Sequence, residues 1–415
     1  DHHSLLLQEH IQQMTSFPFS FIIPDFLAKK TFFSMVRNIR VGSLVIETAD
    51  GSSVSFDGPI NGTRATLVVR DDSFYKKVIF SGEIGFGEAY QSGICDSPDL
   101  VKLLQLALEN RQSVNLNQGI LKFISKLKNL RQHHSRANTV SQSKHNIHDH
   151  YDLGNDFFKL FLDESMTYSS AVFASATQSL ANAQQNKYKK MCEAAQISEK
   201  DHVLEIGTGW GGFAIFAAKT YGCKVTTITI SNEQFNLARD RIKSAGLDKL
   251  ITVKLIDYRE ITGTFSKIVS IEMFEAVGTE FFEVFFQKSF DSLKKNGLLA
   301  MQVITVRDEN YEAQKNGVNW IQKYIFPGGV LPSVEEMGRV SSKVGLSLKQ
   351  TSSIGPHYAK TLNLWRSKFW ENIDAVHRQG YDEHFIKTWD YYLAACEAGF
   401  ITGNTDDVHI VFQKA

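Results

Sequence analysis

Val203-Leu204-Glu205-Ile206-Gly207-Thr208-Gly209-Trp210-Gly211-Gly212 runs from an apolar strand through a glycine turn into the start of a helix. Four glycines among its last six residues let the backbone approach a ligand closely where a first strand meets its helix. Gly207, Gly209 and Gly212 also satisfy G-x-G-x-x-G, which would serve a dinucleotide as well. A dinucleotide site, however, places an acid about 20 residues on, closing the second strand to hold a ribose. Here that strand ends Thr227-Ile228-Thr229-Ile230, with no acid. The acid stands instead at Glu205, two residues before the first glycine, a layout for a ligand that lacks a pyrophosphate and bears a sulfonium and an amino-acid end. S-adenosylmethionine is therefore the predicted cofactor, with Glu205, Gly207, Gly209 and Gly211 at its site.

Outward from the turn, strands and helices alternate. Residues 202–206 read as a strand, 212–221 as a helix, 225–230 as a strand and 232–245 as an amphipathic helix. Strands follow at 251–256, 268–273 and 298–304, with a helix over 281–295 before the last of them. Such alternation predicts an α/β fold, a parallel sheet with helices on both faces. A polar insertion at 307–319 precedes helices around Glu335 and over 361–400, and 408–412 closes as a strand. On the N-terminal side, short strands and a helical run over 97–110 predict a small α+β domain.

Between the two, no Asp or Glu occurs from Glu109 to Asp149, while Arg111, Lys122, Lys126, Lys128, Arg131, Arg136 and Lys144 all fall inside. Ile120, Phe123, Ile124, Leu127 and Leu130 recur there at helical spacing, which makes a basic amphipathic helix. It reads either as a surface that lies on anionic lipid, each cation adding about 1 kcal/mol, or as an interdomain helix with a solvated cationic face. Likewise the apolar stretch 17–27, interrupted by Pro18 and Pro24, either dips into lipid or packs on the first domain. The predicted organisation is 1–116 as a small lipid-associated α+β domain, 117–144 as a basic linker and 145–415 as the cofactor-binding domain.

Lys plus Arg (45) balances Asp plus Glu (45), which argues against a protein held to nucleic acid by overall charge. Cys95, Cys192, Cys223 and Cys396 are scattered without C-x-x-C spacing, and no run of about 18 apolar residues or export signal is visible. A cytoplasmic, peripherally membrane-associated protein is expected. His145, His148 and His150 fit no zinc frame, so no metal is predicted.

Further motifs resemble the cyclopropane-fatty-acyl-phospholipid synthases and their mycolic-acid relatives. These are His150-Tyr151-Asp152-Leu153-Gly154-Asn155-Asp156-Phe157-Phe158, Thr167-Tyr168-Ser169-Ser170-Ala171, Thr229-Ile230-Ser231-Asn232-Glu233-Gln234, Asp257-Tyr258-Arg259, Met273-Phe274-Glu275-Ala276-Val277-Gly278, Tyr324-Ile325-Phe326-Pro327-Gly328 and Gly355-Pro356-His357-Tyr358, in the family's order. They span about 145–415, and Gly82-Glu83-Ile84-Gly85-Phe86-Gly87-Glu88-Ala89-Tyr90 extends the likeness into the first domain. The resemblance implies a Rossmann-like, seven-stranded class I methyltransferase domain beside the smaller N-terminal one. It implies transfer of a methylene from S-adenosylmethionine to the cis double bond of an unsaturated phospholipid in a bilayer, forming a cyclopropane fatty acid. Relatives include dimers, so a homodimer is expected.

By the same resemblance Tyr168 and Ser169 lie over the cofactor, Thr229, Ile230 and Gln234 hold its ribose or amino-acid end, and Asp257 and Tyr258 sit by the adenine. A bicarbonate ion is implied as the base, contacted by Glu275 and Tyr358 and by main chain near Ser170 and Ile304. Many bacterial members have Cys in place of Ser170 and His in place of Gln302. Gln302 still donates a hydrogen bond but cannot carry a proton, and plant-like members share it. Glu272 and Glu275, three apart before a predicted helix, are a carboxylate pair that the helix dipole alone would favour. The resemblance gives Glu275 to the ion and Glu272 to the cofactor. An alkene is a poor nucleophile, so the chemistry needs a dry pocket and a base to take a proton from the new methyl group; a free carboxylate would risk esterifying the cation. Methyl branching or amine methylation on the same fold, and a lipid-binding relative without catalysis, are the competing readings.

Overall fold

The computed structural model describes residues 23–114, Gln142 and residues 153–415. The basic helix at 120–130 and His145, His148 and His150 lie outside the described residues. The chain forms two compact units, Asp1–Lys128 and Asn129–Ala415.

In the first unit, strands β1 (Val41–Glu47), β2 (Ser53–Asp57), β3 (Ile60–Val69) and β4 (Cys95–Asp96) make a sheet of order β2-β1-β3-β4. Helices α1 (Asp25–Val36), α2 (Ser73–Gln91) and α3 (Leu100–Glu109) accompany it. Buried Phe32, Phe74 and Tyr75 stack edge to face or tilted where α1 meets α2. Helix α2, absent from the sequence reading, hides behind its glycines: Gly82 takes φ 55° and kinks it.

The second unit carries a seven-stranded sheet built from β5 (His202–Ile206), β6 (Lys224–Thr229), β7 (Ile251–Leu255), β8 (Phe265–Ile271), β9 (Leu293–Val306), β10 (Leu346–Ser353) and β11 (Thr405–Lys414). Its order is β10-β11-β9-β8-β5-β6-β7. Helices α4 (Leu180–Ala194), α5 (Gly212–Tyr221), α6 (Asn232–Ser244), α7 (Phe282–Ser292), α8 (Asp308–Lys315), α9 (Val334–Lys343), α10 (Gly355–Glu371), α11 (Ile373–Arg378) and α12 (Glu383–Ile401) surround it. Strands β5 to β9 pair in parallel, whereas β11 runs antiparallel to both β9 and β10. The sheet is thus mixed and not wholly parallel. Strand order reverses beside β5, so the glycine turn opens at the switch point where such sheets bind ligands.

Apolar cores fill both faces. Phe274, Phe282, Phe285, Phe286 and Phe412 pack on one side, and Phe213, Ala214, Ala217, Met191 and Val225 on the other. The helix expected over 281–295 ends at Ser292, because Leu293 already pairs with Phe265 of β8. The helical run expected over 361–400 is three helices, interrupted at Asn372 and at Gly380, whose φ is 92°. Strand β10 went unseen because all but its first residue is exposed and it shows no apolar alternation. Among the described residues no helix is long and apolar enough to cross a membrane.

Candidate active site

At the carboxyl end of β5, the N–H groups of Gly207 and Thr208 both donate to Ile228 O, at 3.1 and 2.9 Å, which ties the glycine turn to β6. Gly207, Gly209 and Gly211 have φ of 102°, 53° and 88°, conformations that side chains rarely adopt. A Cβ at Gly209 would meet nothing within 4 Å, so this glycine faces open space, whereas one at Gly211 would press on Ala238. Glu205 is buried and accepts from Thr227 Oγ1 at 2.6 Å, and the Thr227 hydroxyl also reaches Thr208 Oγ1 at 2.7 Å. At the tip of β6, Thr229 Oγ1 donates to Gln234 Oε1 at 2.8 Å, and Ile230 follows directly. An open-faced turn flanked by Glu205, Thr229 and Gln234 fits a ligand with an adenosine and an amino-acid end. Beyond β7, the Asp257 carboxylate is clasped by Arg259 at 2.7 and 2.8 Å, and the buried Tyr258 ring packs on Phe285.

A second cluster sits where β8, β9 and β11 meet the segment 168–171. Glu272 has φ 47°, a left-handed conformation, immediately after β8. Its Oε1 accepts from Ser170 N at 2.8 Å and Gln302 Nε2 at 2.7 Å, and its Oε2 accepts from Tyr358 OH at 2.7 Å. Glu275 Oε1 accepts from Ile304 N at 2.5 Å, while its buried Oε2 has no partner among the described residues. Opposite Gln302 and Ile304 in the β9–β11 register stand His409 and Asp407. His409 Nε2 lies 2.9 Å from Gln302 Oε1, which turns the amide so that Nε2 faces Glu272 and Asp407 Oδ2, 3.1 Å away. Burial pushes His409 down to about 3, so it is a neutral imidazole here.

The two clusters adjoin, since a Cβ on Gly207 would lie 3.2 Å from Met273 Cβ. Over them runs an aromatic wall. Tyr168 packs on Phe158, Phe161 and Trp365, with its OH 2.8 Å from that of Tyr392, and Tyr358 stacks on Phe400 with ring centres 4.5 Å apart. Beneath Ser169 and Ser170, the fully buried Lys187 donates to Ser169 Oγ at 2.7 Å and Ser170 O at 3.1 Å.

The structure therefore brings Ser170, Gln302, Ile304, Glu275 and Tyr358 together, with Glu272 among them. Tyr358 donates to Glu272, and Glu272, expected on the cofactor side, joins this cluster through Ser170, Gln302 and Tyr358. The donors expected around bicarbonate are already taken: Tyr358 OH and Ser170 N–H by Glu272, and Ile304 N–H by Glu275. The residues present do not fit a further oxyanion among them. Lys187, Asp407 and His409 were missed. Lys187 sits in Lys187-Tyr188-Lys189-Lys190, which reads as a solvated cationic face, and a single Asp or His at a strand start carries no motif. Among the described residues no cluster of metal-ligating side chains exists.

Burial pushes Glu205 up to about 8 and, with help from the Glu272 charge, does the same to Glu275. Burial and the Glu272 carboxylate hold Asp407 well above the usual range. Between pH 6.5 and 8 the folded chain thus keeps protons that the unfolded chain has lost, and stability falls as pH rises, by up to about 1.4 kcal/mol per unit for each such group. His409, neutral in the fold but half protonated at pH 6.5 when unfolded, opposes this trend by less than about 0.5 kcal/mol. Lys187, pushed down to about 8 by burial, acts only above it. Urea unfolding should show a lower midpoint at pH 8.0 than at 6.5, with a shallower fall in Glu205→Gln. A flat profile in the parent chain would reject the buried-acid assignment.

The family model described as mycolic acid cyclopropane synthetase matches residues 138–410. The chain is similar to the tuberculostearic acid methyltransferase of Mycobacterium tuberculosis, at 38% identity over 350 residues that cover 82% of this chain and 81% of that protein. To the cyclopropane-fatty-acyl-phospholipid synthase of Escherichia coli strain K12 it is 35% identical over 363 residues, 86% of this chain and 90% of that one. Among solved structures, the mycolic acid cyclopropane synthase CmaA1 complexed with SAH and CTAB aligns with TM-score 0.61 and 29% identity, over 65% of this chain and 98% of that one.

Proposed function

The chain belongs to the mycolic acid cyclopropane synthetase family, and from that premise we propose that it converts the cis double bond of an unsaturated phospholipid acyl chain into a cyclopropane ring with a one-carbon unit from S-adenosylmethionine. The observation that carries this reading is the aromatic wall of Tyr168, Trp365, Tyr358 and Phe400 beside a hydrogen-bonded carboxylate cluster. S-adenosylmethionine, when bound, supplies an electrophilic methyl group on sulfur. Gly207, Gly209, Glu205, Thr229 and Gln234 would hold it at the switch point. Methylating an alkene leaves a positive charge on carbon, and aromatic faces stabilise such charge while excluding water that would capture it. The cluster beside the wall would then manage the proton that ring closure releases.

The lipid is reached at a bilayer surface, a role we assign to the basic segment around Lys122, Lys126 and Lys128 with the N-terminal unit. A branched product is the second reading, favoured by the 38% identity to a protein named a tuberculostearic acid methyltransferase. The deciding measurement incubates the protein with S-adenosylmethionine and vesicles of monounsaturated phospholipid, then examines released acyl chains by mass spectrometry and proton NMR. Gain of one CH2 with upfield ring protons is the expected result. The same gain with vinylidene signals would replace ring formation by branching, and no gain with the cofactor bound would end the lipid reading.

A further inference from the structure

We infer that Glu272 is the proton acceptor of ring closure, a carboxylate built into the chain at the point where the Ser170 N–H, the Gln302 amide and the Tyr358 hydroxyl converge. The inference rests on the reading just proposed and adds to it the identity of the base.

Three observations lead there. The first is the donor set: three donors from three separate segments of the unit meet on one side chain, at 2.7 to 2.8 Å. A carboxylate held this way is anchored on both oxygens, which answers the danger of esterification. It can reach a proton on a neighbouring methyl group, but advancing to bond with the cation would require breaking those bonds. The second is the backbone. A glutamate at φ 47° costs about 1–2 kcal/mol relative to an extended one, and it is placed there while its N–H still donates to Gln302 O at 2.7 Å, continuing the β8–β9 pairing. The left-handed turn is what swings the side chain into the donor set; strain of this kind collects at functional positions. The third is access. Glu272 is only partly buried, unlike Asp407 behind it, which is fully buried, and the aromatic wall stands alongside through Tyr358.

The partners sort themselves accordingly. Burial and the charge of Glu272 push the Asp407 carboxyl well above its usual range, which disfavours the ionised form a base requires. Tyr358, whose hydroxyl burial raises well above its usual range, remains a neutral donor. His409 is neutral and fixes Gln302. In the step itself a C–H bond of the newly added methyl breaks, its electron pair forms the ring bond to the cationic carbon, and the proton passes to a Glu272 oxygen, to leave for water on product release. No external bicarbonate takes part.

The test uses the full chain with Glu272→Gln, which keeps the shape without the basicity, and Glu272→Gly, which suits the left-handed φ and empties the donor set. Vesicle turnover is measured in carbon-dioxide-stripped buffer with and without added bicarbonate or formate. The parent chain should be indifferent to both anions. Glu272→Gln should lose roughly a hundredfold or more in kcat with S-adenosylmethionine affinity within about twofold. Glu272→Gly should be as slow, yet recover at least about tenfold, saturably, with formate or bicarbonate. A purely structural role for Glu272 would not give anion rescue. A parent chain that needs bicarbonate, a Gln variant that turns over normally, or a folded Gly variant deaf to both anions would each overturn the inference. Binding of 13C-formate followed by NMR separates this outcome from failure of the lipid reading. Even if no lipid is converted, formate should bind Glu272→Gly and not the parent, and binding to both or to neither would sink the inference on its own.

Discussion

Valine in place of Gly209 should weaken S-adenosylmethionine binding by at least about a hundredfold, or about 2.7 kcal/mol, while costing the fold only its local backbone strain. Gly209 sits at φ 53°, and a β-branched residue there is a conformational outlier costing about 1–2 kcal/mol. Nothing in the protein lies within 4 Å of the new Cβ, so the folded chain pays little beyond that strain. The branched side chain would instead occupy the space above the turn, where the ligand must approach the backbone. Gly211→Val is the contrasting case, since its Cβ meets Ala238 of α6 at 3.3 Å and the damage should register mainly as lost stability. Titration calorimetry and thermal unfolding on the two variants separate the effects. Unchanged affinity in Gly209→Val would mean that the cofactor lies elsewhere.

Trp365→Ala should destabilise the second unit by about 3–5 kcal/mol, the cost of removing a buried tryptophan, and lower its unfolding temperature by roughly 10 °C. Trp365 has no exposed surface and its ring centre lies 5.5 Å from Tyr168, 6.2 Å from Phe161 and 6.1 Å from Tyr358. It sits on α10 with Tyr358 and carries that helix's aromatic contact to the Tyr168 segment, so the cavity would loosen both and admit water. Trp365→Phe should cost less than half as much, because the indole N–H is buried without a partner among the described residues and its loss forfeits no hydrogen bond. Scanning calorimetry decides; a loss under about 1 kcal/mol for the alanine variant would show that the wall is not packed as described.

The strand-helix rhythm after residue 201 was readable because β5, β8 and β9 carry apolar runs bounded by turn residues, and four glycines in six residues marked the turn at the end of β5. Glu275, Ser170, Gln302, Ile304 and Tyr358 were found only through resemblance, since no spacing in the chain joins residues from four separate segments. Their grouping was not readable at all. Whether Glu272 or Glu275 faces Tyr358 depends on one left-handed residue, and a propensity argument gives glutamate no reason to adopt it. Lys187 illustrates the opposite failure: a lysine among lysines on a helix predicts water, yet this one is buried under Ser169 and Ser170. Asp407 and His409 act only through the β9–β11 register, a long-range pairing that local pattern cannot see.

That pairing also dictates an order of events during synthesis. Strand β11 inserts between β9 and β10, both of which precede it in the chain. A ribosome-bound chain that has not yet produced residues 405–414 already possesses the glycine turn and every strand around it, but its sheet has a gap. Gln302 then has neither His409 to orient its amide nor Asp407 beside it. The glycine turn can form early, whereas the acid cluster closes only when residues 405–414 arrive, so the proposed cofactor site would be complete before the proposed proton-transfer site.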